Sequence, residues 1–284
     1  MIPLKDNIPT ARFPVVTVVL IAINVAFMVW QWTFPTDPQL NAIGLGEIDQ
    51  SSLEYGAIPY RITNPSEKQD CSIGAVNDQG EAGVVCPGTT EFAEARARGE
   101  ANPGVALIPL EQAAWFITLL TSMFMHGGIL HIAGNMLFLW VFGNNIEDAL
   151  GRLKFVLFYL AAGLAAVYSQ AALDPGSTVP TIGASGAVAG VLGAYALLHP
   201  QARVLTLIFI IFFVTLIEIP ALVLLAIWFV LQFIPALGQV ATPEPGGGEG
   251  IAYFAHVGGF IFGLATIKLL ARRRRDPDPP LPAY

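Results

Sequence analysis

Ser185 stands in the run Gly183-Ala184-Ser185-Gly186, and its hydroxyl is the only nucleophile there. His256 lies far along the chain in Ala255-His256-Val257-Gly258-Gly259. A third run, from His126-Gly127-Gly128 through His131 to Gly134-Asn135, holds two more imidazoles and an amide. A hydroxyl, an imidazole to take its proton and further donors for a developing negative oxygen are the parts of nucleophilic acyl transfer. These residues are not neighbours in sequence, so the chemistry exists only if the fold gathers them.

The elements that must gather them are strongly apolar. Hydrophobic residues make up 54% of the chain, charged residues only 12%, and the mean hydropathy is +0.61. Several runs of about 20 residues are nearly free of charge, which reads as an all-α polytopic membrane protein. A membrane β-barrel would alternate with period two, and these runs do not. The net charge of −7 comes with no basic face in any polar segment, so no nucleic-acid partner is expected. The first apolar run, Phe13 to Phe34, is too long for a signal-peptide core and lacks a small-residue cleavage site, so it reads as a retained span.

Six spans are expected, at about Phe13–Trp32, Ile129–Ile146, Phe155–Leu173, Ser185–Leu198, within Val204–Leu237, and Ile251–Leu270. The domains follow: an N-terminus over 1–12, a first helix over 13–34, an outer acidic loop over 35–112, a membrane core over 113–271, and a basic then Pro-rich tail over 272–284. The outer loop is rich in Gly and Pro, with acids such as Asp37, Glu47, Asp49 and Glu54 against few bases. No internal repeat is visible. Six spans put Lys5, Arg12, Arg152, Lys154, Arg203 and Arg272–Arg275 on one side, which the positive-inside rule makes the cytoplasm. A bacterial-type plasma membrane with both termini inside is the expected setting. A seventh span, split near Glu218-Ile219-Pro220, would put the arginine tail outside. Val204–Leu216 is therefore expected at the inner interface or as a partial insertion, with Glu218 as an interfacial acid.

Depth ties the polar residues together. The fourth span, Ser185 to Leu198, reaches only roughly 20 Å, while the hydrocarbon core is about 30 Å thick. Anchored at the inner face, it leaves Ser185 about 9 Å below the outer face. The same rise puts His256 about 9 Å, His131 roughly 6 Å and Asn135 about 12 Å deep. One layer thus holds four polar residues from three spans. Ionisable groups inside a membrane mark wet cavities and function by default.

Glycine spacing supports the grouping. Ser185 is followed by Gly186 and Gly190, and His256 by Gly259 and Gly263, each pair four apart. Small residues at this interval let helix backbones approach closely, which a short serine side chain needs if it is to reach a histidine. His256 is expected to be the base for Ser185; His131, Asn135 and the Ser185 N–H are expected as oxyanion donors. No acid falls in the layer, so a dyad is expected rather than a triad. His126 and His131 are five apart with no Cys or acid near, and neither metal nor cofactor is expected. Cys71 and Cys86, both in the outer loop, are a disulfide candidate.

At these three motifs the sequence resembles the rhomboid family of intramembrane serine proteases, over about Trp115 to Leu270. The resemblance implies a six-transmembrane-helix bundle with a short fourth helix, an extended outer loop between helices 1 and 2, and a cavity open to the outside. It implies Ser185 as nucleophile, His256 as base, and His131 and Asn135 as oxyanion supports. Structural roles are expected for His126, Gly183, Gly186, Gly190, Gly259 and Gly263, and Glu147 is similar to the family's structural acid. Two positions depart from the pattern. Ala189 replaces the aromatic residue often found four after the serine, and Trp115-Phe116 lacks the arginine of a common Trp-Arg pair. The implied function is a serine endopeptidase acting on transmembrane protein substrates among membrane lipids. The alternative is a non-catalytic helix-binding membrane protein or a transporter. A transporter would usually show inverted halves, and a non-catalytic relative would be expected to lack the serine or histidine.

Overall fold

The computed structural model describes residues 1–65, 70–75, 82–102, 106–210, 213–241 and 251–271. The tail with Arg272–Arg275 lies outside the described residues, as do Glu67, Lys68, Asp78 and Glu81. In chain order the elements are β1 (Ile2–Asp6), α1 (Val15–Gln31), α2 (Pro38–Ala42), α3 (Glu47–Tyr55), α4 (Pro59–Thr63), β2 (Ser72–Ala75), β3 (Ala82–Val85), α5 (Thr90–Ala101) and β4 (Ile108–Pro109). Then come α6 (Trp115–Thr121), α7 (Ile129–Leu150), α8 (Arg152–Leu173), α9 (Ser185–Leu198), β5 (Arg203–Ile210), β6 (Phe213–Pro220), α10 (Ala221–Ala241) and α11 (Tyr253–Leu270).

The protein is mostly helical. Among the described residues four helices are long and apolar enough to cross a membrane: α7, α8, α10 and α11. Helices α1 and α9 are apolar but shorter. Helix α9 is the centre of the bundle: every residue from Gly186 to Ala196 is buried. It packs against α7, α8 and α11, so its N-terminus is surrounded by protein. The lipid-type face is carried by the outer helices, with Leu222, Val223, Ile227, Val230, Leu231 and Ile234 of α10 all exposed.

Close packing explains the glycine spacing. A Cβ at Gly259 would collide with the carbonyl oxygen of Gly186, and one at Gly263 with that of Gly190. Gly186 and Gly190 also face Ala166 and Ala162 of α8, so both glycines serve a three-helix contact. Between α7 and α8 the chain reverses in one residue, Gly151, whose φ of 79° suits glycine.

Three expectations need correction. The chain is not all-α: it carries two three-stranded sheets, ordered β1-β5-β6 and β3-β2-β4. The expected fifth span, placed within Val204–Leu237, begins only at Ala221, and the stretch before it is an antiparallel hairpin, paired from Arg203↔Pro220 to Ile210↔Phe213. Most of its residues are Val, Ile, Leu, Phe and Thr, types that fit a pleated strand, and β1 adds to its edge. Glu218 stands on β6 with its carboxylate 3.9 Å from Arg203. The segment between α1 and α6, expected as an extended outer loop, is folded. It folds on a small core of Leu40, Leu53, Ile58, Cys71, Ile73, Cys86 and Leu110, and Cys71 and Cys86 form a disulfide.

Candidate active site

Ser185 is the first residue of α9, and a tight loop delivers it there. Gly183 has φ 119°, and a Cβ on it would lie 2.8 Å from Nε2 of His131 and 3.4 Å from the Ser185 hydroxyl. Glycine is thus required twice, by backbone conformation and by the closeness of the imidazole. The loop is pinned by backbone and side-chain hydrogen bonds to other parts of the chain. Gly183 N–H donates to the Ser122 carbonyl at 2.8 Å, and Ala57 and Thr181 exchange backbone hydrogen bonds at 3.1 and 2.8 Å. Tyr60 N–H donates to Ser177 O at 3.0 Å, and the Thr178 hydroxyl to Val84 O at 2.6 Å. The folded segment between α1 and α6 therefore buttresses the loop that carries the serine.

Ser185 Oγ and His256 Nε2 lie 2.7 Å apart, joining the starts of α9 and α11. On its other side His256 Nδ1 lies 2.7 Å from Oε1 of Gln232 on α10. The indole of Trp228, one helical turn before Gln232, lies 6.0 Å from the imidazole at 42°. Neither α10 residue was singled out in the sequence. A signal existed: Gln232 is the lone polar side chain in the apolar run from Ala221 to Leu237, where a polar residue needs a partner on a neighbouring helix.

A cavity of about 600 Å³ opens beside the pair. Its lining includes His131, Asn135, Ser185, Gln232, Tyr253 and His256. Asn135 is buried, and its Nδ2 has no hydrogen-bond partner among the described residues. An unmatched buried donor beside a cavity has a desolvation cost, so it calls for a reason. His131 Nδ1 accepts from Gly127 N–H at 3.3 Å, and its ring meets His126 edge-on at 5.1 Å. His126 is fully buried, its backbone N–H donating to the Gln31 side chain at 2.9 Å. It stands behind His131, away from the cavity lining.

Glu147 lies elsewhere. Its carboxylate accepts from Val16 N–H at 3.0 Å, Thr17 N–H at 2.8 Å and the Thr17 hydroxyl at 2.9 Å. It anchors the N-terminus of α1 at the far end of α7, where a negative charge suits the helix dipole. Cys71 and Cys86 lie in the outer segment and do not line the cavity. Among the described residues no three of His, Cys, Asp or Glu gather in a metal-binding group.

Fold and site together describe an integral membrane protein whose apolar helices bring a serine, histidines and amides to one water-accessible cavity. The chain belongs to the rhomboid family: the Rhomboid domain profile matches residues 113–273, more than half of the sequence. It is 41% identical over 85 residues to Rhomboid protease GluP of Bacillus subtilis (strain 168), covering 30% of this chain and 16% of that protein. It is 34% identical over 97 residues to Rhomboid protein 1, mitochondrial, of Saccharomyces cerevisiae, covering 33% of this chain and 28% of that protein. A longer match, 30% over 167 residues, links it to Presenilin-associated rhomboid-like protein A, mitochondrial, of Danio rerio, covering 57% of this chain and 40% of that protein. The chain thus spans well under half the length of these relatives.

Proposed function

We propose that this protein is an intramembrane serine endopeptidase with Ser185 as nucleophile and His256 as general base. The observation that carries the reading is the 2.7 Å contact between Ser185 Oγ and His256 Nε2 at the wall of the cavity. In the first step Ser185 Oγ attacks a peptide carbonyl carbon while its proton passes to His256 Nε2. The carbonyl oxygen becomes an oxyanion, held by the unmatched Nδ2 of Asn135, by His131 and by the Ser185 N–H. That N–H belongs to the first turn of α9, where backbone donors lack helical partners and the dipole favours negative charge. His256 then gives its proton to the leaving amine, and water releases the acyl group by the same route in reverse.

The bundle has six membrane helices, α1 and the short α9 joining the four longer ones. The cavity end faces outside and the β1-β5-β6 end faces the cytoplasm of a bacterial-type membrane, following the basic residues Lys5, Arg12, Arg152, Lys154 and Arg203. The substrates are membrane-anchored proteins cut near the outer face. A peptide bond within a stable helix is hydrogen-bonded and shielded, so the substrate presents a locally unwound segment, which Gly or Pro near the bond promotes. The test is labelling of detergent-solubilised protein with a fluorophosphonate, with the modified peptide mapped by mass. Modification at Ser185 is expected. A folded protein that takes no label there would favour a non-catalytic, helix-binding role.

A further inference from the structure

We infer that Gln232 is the positioning residue that holds His256 in the tautomer a general base requires, so that the working unit is Ser185–His256–Gln232. The inference rests on the reading of Ser185 and His256 as a dyad and adds a third member to it. Neutral imidazole carries one proton, and only the form with the proton on Nδ1 leaves Nε2 free to accept from the serine. Gln232 directs an acceptor, Oε1, to Nδ1 at 2.7 Å. That contact favours the Nδ1–H form before the reaction. It persists after proton transfer, when Nδ1–H of the imidazolium donates to the same oxygen as a charge-assisted hydrogen bond.

The fold explains why this support comes from α10. Ala189, one turn after Ser185 on α9, is fully buried and too small to brace a ring. The opposite wall supplies the brace. Trp228 and Gln232 are four apart and share one face of α10, the first against the imidazole and the second bonded to it. This face is fixed to α11 by Phe229 on Phe260, ring centres 4.8 Å apart, and Trp228 on Phe260 at 6.1 Å. The other ionisable groups lining the cavity are His131 from α7 and Tyr253 from α11 itself; α9 and α10 bring none to that lining. Among the described residues, the acceptor that faces Nδ1 is therefore a neutral amide.

The experiment compares wild type, Ser185→Ala, Gln232→Leu and Gln232→Glu as full-length protein in proteoliposomes, with a transmembrane reporter. Thermal melting is followed in parallel. Gln232→Leu keeps the side-chain bulk and removes the acceptor, so kcat should fall about 10- to 100-fold while KM stays within about threefold. Gln232→Glu keeps an acceptor and cannot donate from an ionised carboxylate. It should recover most of the lost kcat and move the acidic limb of the pH–rate profile upward by about one pH unit, through its negative charge beside the imidazolium. Gln232→Leu with kcat within twofold of wild type overturns the inference and leaves the dyad standing. So does Gln232→Glu that is as slow as Gln232→Leu with an unmoved acidic limb. If Gln232→Leu melts early, the rescue and pH shift in Gln232→Glu still decide. Cleavage retained by Ser185→Ala would instead remove the dyad, and the inference with it.

Discussion

At one end of the bundle the Asp6 carboxylate receives the Asn145 amide at 2.6 Å and the Tyr195 hydroxyl, while the Glu147 carboxylate receives three donors from α1. At the other end Ser185, His256 and Gln232 form a chain, but Asn135 Nδ2 stays without a partner among the described residues. The same helices serve both ends. Helix α7 carries His131 and Asn135 near its start and Asn145 and Glu147 near its finish; α9 carries Ser185 at its start and Tyr195 near its finish. Polar groups that saturate one another tie elements together, as β1 and α1 are tied to α7 and α9. Polar groups with spare capacity beside an open cavity of about 600 Å³ are held ready for something that comes from outside the chain. On the proposed reading the comparison separates stability at one end from chemistry at the other, and it can be broken.

The largest expected effect is at the cavity. Asn135→Ala should lower kcat by about 10²–10³-fold, with little change in KM or melting, because in the proposed mechanism the amide acts on charge that develops in the transition state. Steady-state kinetics on a transmembrane reporter, with thermal melting alongside, check this. A change confined to KM would make Asn135 a substrate-binding group. Gly259→Val sits where the two ends are joined by packing. Its side chain would meet the Gly186 carbonyl oxygen, so α9 and α11 must separate. Both the melting temperature and turnover should fall, turnover by about 10²-fold, since displacement of the serine from the histidine by about 1 Å suffices. Normal melting with normal turnover would show that the contact can yield.

At the other end the signature should reverse. Glu147→Ala leaves the Val16 and Thr17 donors unmatched in a buried place and should destabilise by about 3–5 kcal/mol, measured by melting. Per folded molecule, counted by active-site labelling, cleavage should stay within a few-fold of wild type. A loss of kcat as deep as that of Asn135→Ala would erase the division between the ends.

The smallest effect concerns Asp6. Burial pushes its carboxyl up to about 6, against the pull of the Tyr195 hydroxyl, nearby backbone N–H groups and Lys5. The folded state therefore disfavours the ionised form. The penalty is absent below the ordinary carboxyl range near 3.8, grows as pH rises, and is complete above about 6. Asp6→Asn keeps an acceptor for Tyr195 and Asn145 and removes the charge, so it should be more stable than wild type by up to about 2–3 kcal/mol at pH 7.5. The gap should shrink by pH 5. Melting curves across this range check it; a constant gap would mean that the carboxyl does not titrate there.

Much of this arrangement was legible in the sequence, for identifiable reasons. The short apolar helix at the serine was readable because Ser185–Leu198 is apolar and closed by His199-Pro200, and α9 has those bounds. The helix contacts followed from Gly186, Gly190, Gly259 and Gly263, since four-residue spacing of glycine has few other uses in an apolar helix. The hairpin was not legible, because a continuous run of Val, Ile, Leu and Phe has no period to separate strand from helix. The fold of the outer segment was hidden by short elements whose partners are distant: β2 pairs with β4 across more than 30 residues. Asp6 met Asn145 and Tyr195 across still larger separations, which no local pattern encodes. Gln232 was missed although its signal was present, since a single polar residue in an apolar helix reads as helix–helix packing until its neighbour is known.

The central claim is that the cavity end of the bundle is catalytic and that Ser185 does the chemistry. It is tested most directly with purified wild type and Ser185→Ala, reconstituted in proteoliposomes at equal folded concentration. Cleavage of a transmembrane reporter is followed by gel and mass spectrometry. The account predicts a defined cut by the wild type and none above background by Ser185→Ala, with unchanged melting, because alanine fits beside Gly186 and removes only the hydroxyl. Cleavage by Ser185→Ala at the wild-type rate and position would contradict it.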